Sequence, residues 1–199
     1  MTCAGMPSKH IGPAATGRWE RKPHLIQHVS PAFSRRLLRL YGNLEYICRM
    51  RAVIQRVSEA SVSIGGHVKS AIGKGYVVLV GICADDDQSD AEWLVKKITN
   101  LRVFNDDNGV MNRSIMETGG DILVISQFTL FASYKKGNRP SWLRAANHAV
   151  AIPLYNDFCA KLSASIGRQV GTGEFGADMQ VSLINDGPVT ICMDTKNKE

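Results

Sequence analysis

The stretch "ASVSIGGHVKSAIG", residues 60–73, holds two strand-like runs on either side of Gly65-Gly66. Two glycines between alternating apolar residues predict a two-residue β-hairpin, because such a turn needs positive φ, which glycine adopts without steric cost. Working outward, "RAVIQRV" (51–57) alternates apolar and polar residues as a half-exposed strand does, and extends the hairpin's first arm. "YVVLVGI" (76–82) is continuously apolar and reads as a buried strand, and "DILVISQFTLF" (121–131) reads as another. Between them "DDDQSDAEWLVKKITNLR" (85–102) changes period. Ser89 with Glu92 forms a capping box there, and Trp93, Leu94, Ile98 and Leu101 make a helical stripe. "NDDNG" (105–109) is a turn and "ASYKKGNRP" (132–140) a loop. A second helix is predicted over 152–166, with Pro153 tolerated in its first turn, then a Gly-rich connection and a last strand over 179–193. Strand pairs separated by only two helices predict an α+β domain: a curved, barrel-like antiparallel sheet with two main helices packed on it.

The formal charge of +6 divides unevenly along the chain. Residues 1–49 carry eight Lys/Arg and two acids, which leaves 24 − 8 = 16 basic and 18 − 2 = 16 acidic residues in 50–199. The sequence pI of about 9.2 is therefore a property of the extension, and a nucleic-acid contact in the body must come from a local patch. The best patch is "YKKGNRP", where Lys135, Lys136 and Arg139 are candidate phosphate contacts or simply a solvated loop. The extension, Arg-rich, acid-poor and amphipathic only at "SRRLLRLYG" (34–42), has three readings. It is a mitochondrial presequence, an untargeted disordered tail, or residues upstream of a working start at Met50. Five cysteines without a CxxC pair predict reduced thiols in a cytoplasmic protein, or a mitochondrial one if 1–49 targets it. No apolar run is long enough for a membrane span.

Familiar catalytic patterns are missing. His67 and His148 stand without metal-spaced neighbours, and Asp106-Asp107-Asn108-Gly109 lacks the alternation and distant Glu of a calcium loop. There is no G-x-S-x-G elbow, phosphate-binding loop or dinucleotide fingerprint. No metal or cofactor is expected. Two polar interruptions of apolar strands remain, "SQFTL" (126–130) and "NDGPVT" (185–190). In the second, Asn185-Asp186-Gly187-Pro188 are turn formers set inside a strand, where Pro cannot donate to the ladder.

With "MRAVIQRVSEASV" (50–62), "RPSW" (139–142) and the run "TGEFGADMQVSLINDGPVT" (172–190), these motifs make 50–199 resemble the D-aminoacyl-tRNA deacylase family, once called D-tyrosyl-tRNA deacylase. The resemblance does not cover 1–49. It implies a homodimer of barrel-like subunits with active sites at the interface and the aminoacyl-tRNA 3′ end as partner. It implies a cis Gly187-Pro188 bond inserted into the partner's pocket, its carbonyls aimed to one side and gripping the region around the substrate's α-amino group. A D side chain then points outward, an L side chain meets the Gly-Pro backbone, and achiral glycyl esters pass. Arg56 braces that turn. The catalytic group falls on Gln127, Phe128 and Thr129. Backbone N–H groups there stabilise the oxyanion, Phe128 shapes the pocket, and Thr129 positions substrate, since a strand Thr without a base is poorly activated. Ser126 and Gln127 are assigned to the terminal adenosine, with Phe175 and Met179 against the adenine or in ordinary core packing. Two alternatives stay open: an editing module of the same fold acting on L-aminoacyl-tRNA, and a non-catalytic nucleic-acid-binding protein.

Overall fold

The structure is a computed structural model, described over residues 50–198. The three readings of 1–49 concern residues outside that range. Strand β1 (Arg51–Ile64) turns at Gly65 and Gly66, both at positive φ (57° and 82°), into β2 (His67–Ile72). The expected hairpin is present. β3 (Gly75–Gly81) pairs with the first half of β1, and β8 (Gln180–Asp194) runs antiparallel to β1 nearly end to end. The chain crosses from β3 to β6 (Asp121–Ser126) by way of helix α1 (Gln88–Asn100), the small β4–β5 pair (Phe104–Asn105, Met111–Arg113) and α2 (Ile115–Thr118).

That crossover corrects one expectation. The α+β class and the curved sheet hold, but the sheet is mixed, because β6 pairs parallel to β3, and β7 (Gly171–Thr172) parallel to β6. Parallel neighbours need a long crossover, here one that carries α1 over one face. The sheet order is β2-β1-β3-β6-β7, with β8 on β1. The two ends are joined at one point, where the Ser70 hydroxyl donates to the Thr172 carbonyl at 2.8 Å and accepts from its N–H at 3.3 Å.

The continuous apolar runs follow from burial on both faces. Tyr76, Val78 and Val80 of β3, with Ile122 and Val124 of β6, face the helices and join Leu94, Ile98, Phe158 and Leu162 in the main core. The alternate residues Val77, Leu123 and Ile125 turn inward to a second cluster with Val57 and Val62. Helix α1 is capped two residues earlier than Ser89 and Glu92 suggest: Asp87 is the cap, and Asp90 closes the box. Helix α3 (His148–Ile166) also starts earlier than expected, capped by Asn147, so Pro153 lies in its second turn at the loss of one backbone hydrogen bond. Cys159 and Cys192 are free thiols as expected; Cys83, disulfide-bonded, departs from that expectation. Among the described residues no helix is long and apolar enough to cross a membrane.

Candidate active site

β3 and β6 end together, with Val80 opposite Ser126. Gln127 prolongs the pairing through its N–H to the Val80 carbonyl (2.7 Å), and the chain then tightens into a 3₁₀ turn, Phe128–Phe131. Gly81 permits this close approach, since a Cβ there would lie 3.0 Å from both the Gln127 carbonyl and the Phe131 ring. The turn forms one wall of a cavity of about 920 Å³ that takes in Ser126, Gln127, Phe128, Phe175 and Met179. Five of the predicted site residues, from segments some 50 positions apart, therefore meet in one hollow.

The cavity is mostly apolar. Phe175 is held edge-on by His148 (5.5 Å between ring centroids) and Tyr155 (5.9 Å), the latter anchored by its hydroxyl to the Val124 carbonyl at 2.9 Å. Burial pushes the Tyr155 hydroxyl well above the usual tyrosine range, so it stays protonated and donates. Met179 reaches in because Gly173 leaves room: a Cβ there would sit 2.3 Å from the Met179 sulfur. Phe128 stays exposed and meets Trp142 edge-on at 5.4 Å. Thr129 lies beside the cavity, and its hydroxyl accepts from the Gln127 side-chain amide. Among the described residues no histidine or carboxylate is hydrogen-bonded to it, which leaves it without a base. Of the N–H groups at 127–129, that of Gln127 is already committed to Val80, whereas Phe128 and Thr129 open the 3₁₀ turn, where N–H groups have no acceptor within the turn itself.

The second motif has a distinct geometry. Gln55 pairs with Thr190 and Val57 with Asn185, so the four residues 186–189 of β8 stand opposite the single residue Arg56. The excess chain bulges outward. Its Gly187-Pro188 bond is cis, and Gly187 has φ +133°. Arg56, 7% exposed, holds the bulge from beneath. Its Nε donates to the Asp186 carbonyl at 2.9 Å and pairs with the Asp186 carboxylate at 3.3 Å, while Nη1 donates to the Val103 carbonyl and to Asn105. From above, the Asn185 side chain accepts from the Val189 N–H and donates to the Thr190 hydroxyl, both at 2.9 Å. Gly187 and Pro188 are exposed and do not line the cavity of their own chain.

Lys135, Lys136 and Arg139 are exposed on their loop, and Lys135 shares a separate hollow with Arg51, Tyr134 and Arg144. Sequence reasoning missed His148 and Trp142 as cavity residues, and Arg51 and Arg144 beside Lys135. The one local signal was "RPSWLR", which places aromatic and cationic residues together.

A family model described as D-Tyr-tRNA(Tyr) deacylase matches residues 53–194. The chain belongs to that deacylase family. This deacylase is 71% identical over 150 residues to the D-aminoacyl-tRNA deacylase of Phocaeicola vulgatus, a match covering 75% of this chain and all of the relative. Its match to the D-aminoacyl-tRNA deacylase of Bacteroides thetaiotaomicron has the same extent at 65% identity. Among solved structures, the deacylase resembles one titled c-Myc DNA Unwinding Element Binding Protein, with a TM-score of 0.68 and 45% identity over 72% of this chain and 97% of the other. It shares its fold with a probable eukaryotic D-amino acid tRNA deacylase, at a TM-score of 0.64 and 18% identity over 73% of this chain and 99% of that one.

Proposed function

We propose that this enzyme hydrolyses the ester between a D-amino acid and the 3′-terminal ribose of tRNA, as a homodimer in which each subunit completes the other's site. One observation carries the reading: the 186–189 bulge is braced on both sides, yet its Gly187-Pro188 tip is exposed on its own chain, outside its own cavity. A segment fixed so firmly and offered outward is suited to enter a second copy's pocket. There the carbonyls of Gly187 and Pro188 accept from the substrate ammonium. With ammonium and ester both fixed, a D side chain leaves the pocket, an L side chain strikes the Gly-Pro backbone, and glycyl esters pass.

The terminal adenosine is assigned to the apolar cavity, against Phe175 and Met179, with Ser126 and Gln127 at its polar edge and Phe128 shaping the mouth. Water attacks the ester carbonyl with help from the neighbouring ribose 2′-hydroxyl, the acyl C–O bond breaks, and the 3′-hydroxyl leaves. The N–H groups of Phe128 and Thr129 receive the negative charge that develops on the carbonyl oxygen. Thr129 positions substrate, and Lys135, Lys136 and Arg139 meet tRNA phosphates.

The test uses matched D-, L- and glycyl-tRNA with the wild-type chain and with Gly187→Ala, where a Cβ would meet Val189 Cγ2 at 2.8 Å and Arg56 Nη2 at 2.9 Å. D-ester turnover should fall by about tenfold or more in the variant. Mixing Gly187→Ala with Ala149→Trp, which plugs the cavity, probes the cross-subunit arrangement. Half of randomly paired dimers are mixed and each regains one intact site, so activity should recover to about a quarter of wild type. No recovery would place bulge and cavity of one site in the same chain and overturn the shared site. The DNA-binding title of one structural relative motivates a second reading, a nucleic-acid-binding module. Tight tRNA binding without turnover of any ester would favour it.

A further inference from the structure

Two buried side-chain oxygens among the described residues have no hydrogen-bond partner: Asp86 Oδ1 and Thr195 Oγ1. Both belong to residues that bond the backbone of one residue, Met50. The Thr195 N–H donates to the Met50 carbonyl at 3.1 Å, and the Asp86 carboxylate accepts from the Met50 N–H. Asp86 is 8% exposed and Thr195 1% exposed, so water is a poor substitute for the missing donors. The other Asp86 oxygen accepts the Cys83 N–H at 2.7 Å, so this carboxylate is aimed rather than loose.

The local charge is also incomplete. Carboxylates of Asp86, Asp87 and Asp90 act together around one cation, Lys196, whose Nζ lies 2.8 Å from Asp90 Oδ1. Asp90 is thereby paired and Asp86 is not. Burial raises the Asp86 carboxyl to about 6, a rise that Lys196, already paired with Asp90, only partly offsets. An amide nitrogen at Met50 offers one N–H. A free α-ammonium at the same place offers three, with a positive charge.

We infer that the working N-terminus of this enzyme is Met50, and that Asp86 and Thr195 form a built receptor for its α-ammonium. The Met50 side chain is wholly buried in the main core, so the first residue would be anchored at both ends. The relatives matched over their whole length span 150 residues, the distance from Met50 to Glu199. Two routes give the same group. Initiation at Met50 needs no cleavage; hydrolysis of the 49–50 peptide bond adds water across C–N, leaving a carboxylate on Arg49 and an ammonium on Met50. This inference is independent of the proposed substrate.

The full coding sequence, expressed in its native cell with a C-terminal tag, would give an active pool whose first residue is read by intact mass. Met50 is the expected first residue; Met1 or any other start would overturn the inference. In the same experiment Met50→Leu assigns the route, since loss of the short form indicates initiation and its persistence indicates hydrolysis. The α-amine of the Met50 form is then titrated by ¹³C reductive methylation and NMR. Its pKa should exceed the ordinary value of about 7.7–8.0 by at least one unit, fall back in Asp86→Asn and fall partway in Thr195→Val. An ordinary value with Asp86 intact would overturn the receptor even if Met50 is first.

Discussion

Arg56 ties strand β1 to the Gly187-Pro188 bulge of β8. Its planar fork serves Asp186 on one side and Val103 with Asn105 on the other, a geometry that a lysine ammonium cannot reproduce. Arg56→Lys should therefore keep the charge, the fold and most D-ester hydrolysis while loosening the bulge. About 1.4 kcal/mol of slack forfeits a factor of ten in discrimination. The ratio of D- to L-ester turnover should fall by about that factor, measured in parallel deacylation time courses. Thr129 makes the opposite prediction. Its hydroxyl is engaged by Gln127 and by no base, so Thr129→Ala should stay within about threefold of wild type in single-turnover deacylation. A loss of several orders of magnitude, with tRNA binding intact, would make it the nucleophile.

At the scale of elements, the parallel pairing of β3 and β6 depends on Gly75, where a Cβ would lie 1.8 Å from the Asp121 carbonyl oxygen. No side-chain motion relieves a clash with backbone, so Gly75→Ala should prevent folding, seen as loss of a cooperative urea transition. The 132–140 loop has a milder role. Neutralising Lys135, Lys136 and Arg139 should flatten the plot of log tRNA affinity against log salt by about 0.7–0.9 for each phosphate that a side chain no longer neutralises. If the slope is unchanged, the loop is merely solvated. The hairpin, the two inner strands and both main helices were legible in the chain because their signals are local: paired glycines, apolar runs, a stripe of period 3.6. The direction of β6 was not, because it depends on how residues 82–120 route the chain and not on "DILVIS" itself. The α1 cap was misplaced because Ser89 with Glu92 and Asp87 with Asp90 both have the spacing of a capping box, and only the backbone selects Asp87. "SQFTL" fell on the turn that walls the cavity and "NDGPVT" on the braced bulge. The partners of Arg56 lie 47 and 130 positions away, beyond any local pattern.

Across the whole molecule, acid response should show one unusual slope. Asp86 binds its proton up to about pH 6 when folded, against an ordinary value of 3.8. Between those values the folded chain holds a proton that the unfolded chain releases, so stability falls as pH rises through the window and levels off above it. Asp87, Asp106 and Glu117, held below the usual carboxylate range by hydrogen bonds, act in the opposite sense at lower pH and from exposed positions. In the full chain the thermal midpoint should decline from about pH 4 to pH 6, and Asp86→Asn should remove that decline.

The contact between Ser70 and Thr172 has a mechanical consequence. Elsewhere the wall of the domain is stitched by repeated main-chain bonds, but here one rotatable hydroxyl fastens two edges. A half-turn of that side chain unclasps the cuff without disturbing any rung of its ladders. Ser70→Ala should thus remove both hydrogen bonds at this closure and leave every ladder pairing in register.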